Sequence, residues 1–77
     1  MAVVDATVIG RRLIISFPQG HIYAFEREKY EKFKKILRKR GFRRIGEYAY
    51  ELVCEDPRKI IGDMKRYIGI IEKELIV

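Results

Sequence analysis

The side chains that could do chemistry in this chain are crowded into one stretch, Lys29 to Arg44, KYEKFKKILRKRGFRR. It holds nine of the seventeen basic residues and a single acid, Glu31. The segment carries a local charge of +8, whereas the other 61 residues hold eight basic and ten acidic side chains. Basicity confined to one segment points to a surface patch that meets an anionic partner, because like charges held together oppose folding unless something negative is usually bound. Phosphate backbone is the commonest such partner, and an acidic protein surface is the other.

Part of the crowding has a local explanation. Glu28 with Lys32, and Glu31 with Lys35, are spaced i,i+4 with the acid first, an orientation worth about 0.2–0.5 kcal/mol per pair in a helix. Arg38, Lys39 and Arg40 fall where a helix would end and complement its negative pole. Lys34, Lys39, Arg40, Arg43 and Arg44 keep no local acid. The candidate nucleic-acid contacts are therefore Lys32, Lys35, Arg38, Lys39, Arg43 and Arg44. Such groups neutralise phosphates and position a domain; they do not read bases.

Other chemistry is sparse. His21 is the single histidine and Cys54 the single cysteine, so neither a zinc-binding set nor an intramolecular disulfide can be assembled. No residue spacing gives His21 a nucleophile or an orienting carboxylate, and no enzyme is expected. Glu51, Glu55, Asp56 and Asp63 are too scattered in role to suggest a metal: Asp56 precedes proline as a helix cap, and Glu51 and Glu55 read as outward residues of a strand. No catalytic residue, metal or cofactor is expected. Tyr23, Phe25, Tyr48 and Tyr50 lie near the basic segment, where exposed rings could stack unpaired bases and buried rings would simply fill the core. No RNP-type run, GXXG clamp or helix-turn-helix recognition helix is visible. RNA and structured duplex are thus slightly favoured over sequence-specific DNA.

The elements that must position these residues follow from periodicity. Residues 2–9 and 12–17 are strand-like and flank Gly10-Arg11, which suits a type II′ hairpin turn. Pairing Ile9 with Arg12 puts Val4, Ala6, Val8, Leu13, Ile15 and Phe17 on one face. The opposite face mixes Asp5, Thr7, Arg12 and Ser16 with Val3, Ile9 and Ile14. After the turn Pro18-Gln19-Gly20, His21 to Phe25 reads as a short strand. A helix follows from about Glu26 to Arg40, with Tyr30, Phe33, Ile36 and Leu37 on its inner face and Gly41 at the left-handed cap position. Residues 42–55 alternate as a strand pair broken at Gly46-Glu47. Asp56-Pro57 opens a last helix whose apolar stripe runs through Ile60, Ile61, Met64, Tyr67, Ile68, Ile71 and Leu75.

In that helix Gly62 and Gly69 fall together on the side opposite the stripe, among Arg58, Lys65, Arg66 and Lys73. They either let a phosphate backbone or a helix approach, or Gly69 ends the helix and frees IIEKELIV as a separate segment. The apolar end Leu75-Ile76-Val77 suits docking, a strand or a second subunit. A weak internal similarity sets YAFEREKYEKFKKIL beside YELVCEDPRKIIGDMK.

The reading is a small α+β domain over residues 1–77, in the order ββ(β)αββα. It has an antiparallel sheet of four or five strands, an N-terminal hairpin or meander plus a second strand pair, with two helices on one face. Its 36% charged residues, with Gln19 the only amide side chain, lean toward a thermophile-like composition. No apolar run reaches the ~20 residues of a membrane span, no secretory pattern opens the chain, and the expected setting is cytoplasmic. The expected function is non-catalytic binding of nucleic acid, RNA favoured. The alternative is a protein–protein interaction module or small subunit, possibly a homodimer, drawing on the mixed hairpin face and the apolar tail.

Overall fold

Gly10 takes a φ of 59°, open to glycine at no steric cost, and the chain reverses there into an antiparallel hairpin of β1 (Val3–Ile9) and β2 (Arg12–Ser16). The register is the one the alternation requires: Ile9 faces Arg12, Val8 faces Leu13 and Ala6 faces Ile15. In the computed structural model, which describes residues 1–75, the chain continues through α1 (His21–Phe25) and α2 (Arg27–Lys39). It then forms β3 (Arg43–Gly46), β4 (Ala49–Val53), α3 (Pro57–Met64) and β5 (Gly69–Glu74). The five strands make one sheet in the order β3-β4-β2-β1-β5.

The hairpin's inner face, Val4, Ala6, Val8, Leu13, Ile15 and Phe17, is buried under the helices. α2 contributes Tyr30, Phe33 and Leu37, and α3 contributes Ile61 and Met64. Each large aliphatic or aromatic side chain so buried supplies about 1.5–3 kcal/mol. Phe17 is the hub: its ring lies 5.8 Å from Tyr30, 5.9 Å from Tyr50 and 6.1 Å from Phe33. The Tyr30 hydroxyl also ties α2 to β1, accepting from the Val3 amide and donating to the Val3 carbonyl, both at 3.1 Å.

α2 stops for the reason its sequence gives. Gly41 has a φ of 90°; the Phe42 amide reaches back to the Leu37 carbonyl at 3.0 Å and the Gly41 amide to Arg38 at 3.1 Å. This is a complete Schellman cap, with buried Phe42 as its apolar contact. At the other capped end, Asp56 accepts from the Lys59 amide at 3.3 Å and Pro57 sits at the first position of α3.

Three expectations are corrected. His21–Phe25 is a single helical turn, α1, and not a strand. β4 and β5 fill the two ladder positions beside the hairpin, so this segment has no strand to pair with. Its backbone bonds close locally instead, from the Ala24 amide to the Gly20 carbonyl at 3.0 Å. Second, the last helix ends at Met64, short of the stripe's Ile68, Ile71 and Leu75. Of the two readings of Gly69 the structure takes the one with a separate segment after the helix: Gly69 begins β5, which runs parallel to β1 with Val3 opposite Gly69 and Val8 opposite Glu74. The sheet is therefore mixed, with three helices over it. Third, Gly62 and Gly69 share no surface: a Cβ on Gly62 would meet open space, while one on Gly69 would lie 3.1 Å from Val3 Cγ2 and 3.2 Å from the Ala2 carbonyl. Tight packing of β5 on β1 explains that glycine.

The internal similarity has a different register from the one the aromatic residues suggest. The comparable units are β1–β2–α2 and β3–β4–α3, each a hairpin followed by a helix, and β2 meets β4 antiparallel between them. β5 lies outside this pairing. Of the apolar tail, Leu75 is exposed, with its amide bonded to the Val8 carbonyl at 3.0 Å. Ile76 and Val77 lie outside the described residues.

Candidate nucleic-acid interface

α2 has its hydrophobic face down on the sheet, and this fixes where its charges go. With Phe33 and Leu37 inward, the 3.6-residue period sends Glu28, Lys32, Lys35 and Lys39 along the outer ridge. Arg27, Glu31, Lys34 and Arg38 fall on the flank toward β4, where the Arg38 guanidinium reaches the Tyr50 hydroxyl at 3.5 Å. Lys29 and Arg40 fall on the opposite flank, and Arg40 comes within 4.0 Å of Asp63 on α3.

The six sequence-derived candidates separate accordingly. Lys35 and Lys39 are exposed on the ridge, and Arg38 is exposed beside them. Arg44 stands opposite Tyr50 across β3 and β4, so it shares Tyr50's face of the sheet; its Nε donates to the Gly46 carbonyl at 3.0 Å, and it borders a depression with Arg27, Lys34, Glu31 and Glu47. Among the described residues none of these four has a carboxylate within 4 Å. Lys32 lies on the same ridge but pairs with Glu28 at 3.4 Å. Arg43 leaves the group. It stands opposite Glu51, on the sheet face that carries no helix, and binds that carboxylate at 3.2 Å.

Ion pairs within α2 and between elements thus consume charge that looks free in the sequence. Glu31 pairs with Lys34 at 3.0 Å, one position short of Lys35. Lys34 is only 13% exposed, with its ammonium 4.7 Å from the Tyr23 ring centre and 5.4 Å from that of Phe17. Burial opposes its charge, but hydrogen bonds to the Tyr23 hydroxyl and to Glu31 outweigh that and raise its pKa. Burial likewise raises the Tyr23 pKa, and the bond to Glu31 adds to the effect. Lys34 is a core-edge cation and not a phosphate contact.

Glu51 is the residue sequence reading placed wrongly in environment. It does point away from the helices, yet it is only 6% exposed. Arg12 covers it from β2, with Nε donating at 2.7 Å, and Arg43 covers it from β3. The bond from Arg12, with Arg43 adding to it, holds the Glu51 carboxyl below the usual glutamate range. Two arginines from neighbouring strands become visible only once the register is known.

The remaining polar groups offer no converging chemistry. His21 is exposed at the start of α1, and Cys54 is a half-buried free thiol whose pKa is pushed up by burial. Glu55 pairs with Arg11 at 2.7 Å. Among the described residues no three His, Cys, Asp or Glu side chains group so as to hold a metal ion, and no helix is long and apolar enough to cross a membrane.

Of the aromatic candidates, Tyr50 is buried, and Tyr23 stacks on Tyr30 at 5.3 Å with the rings 10° apart. Tyr48 meets Tyr23 edge-on at 5.6 Å. Phe25 differs: it closes α1 with 92% of its surface exposed. Comparison with protein-family models, curated proteins and solved structures gives no significant match.

Proposed function

We propose that this domain is a non-catalytic nucleic-acid-binding module, with RNA favoured, that holds phosphates through Lys35, Arg38, Lys39 and Arg44. The observation that carries the reading is the grouping of these four exposed cations, without carboxylate partners among the described residues, on one side of the molecule. The neighbouring cations Lys29, Lys32, Lys34, Arg40 and Arg43 each have an acid within 4.0 Å. Within the Lys29–Arg44 segment, charge left uncompensated beside five matched cations is what an anionic partner would neutralise. The setting that fits is the cytoplasm, where a lone thiol stays reduced. Titration of the purified domain against labelled single- and double-stranded RNA and DNA at several salt concentrations tests it. Salt-sensitive binding supports the reading, and absence of binding at low salt defeats it.

A second reading draws support from the helix-free sheet face. Val3, Ile9 and Ile14 are half-buried there, and Val53 and Ile71 are exposed. The charges on that face are already matched, Glu51 by Arg12 and Arg43, and Asp5 by Lys73 at 3.2 Å. A surface of that kind suits another protein, including a second copy of this chain. Association through it would persist at high salt and would appear in sedimentation, whereas phosphate binding would fade.

A further inference from the structure

We propose that Phe25 is the seat of one stacked base of a single-stranded nucleic acid whose phosphates run along the lysine ridge of α2. The inference rests on the phosphate-binding reading above and adds the strand form that the site takes.

Phe25 does nothing for the core, which Phe17, Phe33 and Phe42 fill. Its ring stands between two shallow depressions. One, of about 320 Å³, is bordered by Met1, His21, Ile22 and Glu26. The other, of about 270 Å³, is bordered by Glu26, Glu28, Lys29 and Lys32. Met1 and Ile22 are exposed at 98% and 62%, so the ring rises from a small apolar shelf. A nucleobase needs one open π-face and an apolar edge to rest on, and any base satisfies the contact because every base has a π-face.

The cations lie on the side where a backbone would have to run. Lys29 and Lys32 share the second depression with Phe25. At 1.5 Å per residue, Lys35 and Lys39 continue about 4 and 10 Å farther along the helix. The depression itself is charge-balanced, Glu26 with Lys29 at 3.6 Å and Glu28 with Lys32 at 3.4 Å, so it neither repels nor holds a phosphate and the backbone contacts fall to the unpaired Lys35 and Lys39 beyond it. In a duplex the bases are stacked on each other and hidden from such a ring. The arrangement therefore selects unpaired strands.

A lipid surface is the competing partner for an exposed aromatic beside lysines. An interfacial helix, however, needs a continuous apolar face. Here the shelf is three residues around a five-residue helix, with Glu26 and Glu28 at its border.

The test compares the parent with Phe25→Ala and Phe25→Trp. The probes are a short oligouridine RNA, a duplex RNA of equal length, and vesicles of phosphatidylserine and phosphatidylcholine. The side chain is outside the core, so both variants should melt like the parent. Phe25→Ala should weaken oligouridine binding about tenfold, the loss expected of one stacking ring, and leave duplex binding and the salt slope as they were. Phe25→Trp should bind oligouridine at least as tightly as the parent. Equal binding by Phe25→Ala and the parent overturns this inference alone, as does equal loss on both RNAs. Vesicle binding that needs Phe25, with RNA binding that does not, assigns the shelf to lipid. A parent that binds neither RNA defeats the phosphate reading and this inference together.

Discussion

Replacing Lys35, Arg38 and Lys39 together with glutamine removes three of the four cations of the Lys29–Arg44 segment that have no carboxylate partner among the described residues, and leaves Arg44. Each phosphate neutralised by a protein cation releases counterion, so the logarithm of the binding constant falls with the logarithm of salt at about 0.7 per contact on a single strand. Four contacts give a slope of about −2.8, a loss of about 50-fold in affinity between ~50 and ~200 mM salt. The triple variant retains one contact and a slope of about −0.7, a two- to threefold loss, roughly, over the same range. Fluorescence anisotropy with a labelled oligonucleotide reads both quantities, and the three side chains are exposed, so the melting curve should be little changed. Two results refute the reasoning. A triple variant with the parent's slope means that the patch is a bystander. A parental slope of about −6.3, about a 6,000-fold loss, means that all nine basic residues of the segment contribute, and that the division into paired and unpaired cations has no meaning in the complex.

The two glycines of the C-terminal third should respond in opposite directions in urea denaturation. Gly69→Ala forces a methyl against Val3 and the Ala2 carbonyl and should destabilise by about 1–3 kcal/mol. Gly62→Ala meets nothing within 4 Å inside α3 and should stabilise by about 0.5–1 kcal/mol. Tyr30→Phe removes both hydrogen bonds to Val3 and should lower stability by about 1–2 kcal/mol in the same assay; an unchanged midpoint would show that water replaces them. The carboxyls of Glu51, Glu31, Glu26 and Glu72 are all held below the usual glutamate range, Glu51 chiefly by Arg12 and Glu72 chiefly by Lys65. A depressed native pKa stabilises above the unfolded-state value and loses that contribution as pH falls through the native one. The melting temperature should therefore drop as pH falls below the ordinary glutamate pKa, and Glu51→Gln should flatten part of that drop.

The hairpin, the caps and the break at Gly46 were legible because each is decided within a few residues: Gly10 turns the chain, Gly41 closes α2, and Asp56-Pro57 starts α3. His21–Phe25 was not, since five residues are too few to separate a period of 2 from one of 3.6. Ile68, Ile71 and Leu75 extend the stripe of α3 at helical spacing. Their conversion to β5 depends on a free ladder position along β1, more than sixty residues earlier, which no local pattern reveals. The candidate site was legible in composition and partly lost in partnership. Glu51 reaches Arg43 through a strand register, Asp63 reaches Arg40 through helix packing, and Glu31 takes Lys34 in preference to Lys35. Phe25 carries no mark in the sequence that separates it from Tyr23. Only the stacking of Tyr23 on Tyr30 does so.

The parallel pairing of β5 with β1 has a consequence for synthesis. β1 can close its hairpin with β2 as soon as both have left the ribosome, but the partner for its other edge, Gly69–Glu74, is made more than fifty residues after β2. Until then the nascent chain carries one unpaired edge on the strand VVDATVI, open to any other extended peptide nearby. Closure of that edge waits for Gly69–Glu74, so a chain shortened before Gly69 should keep its hairpins and aggregate through the strand it has left uncovered.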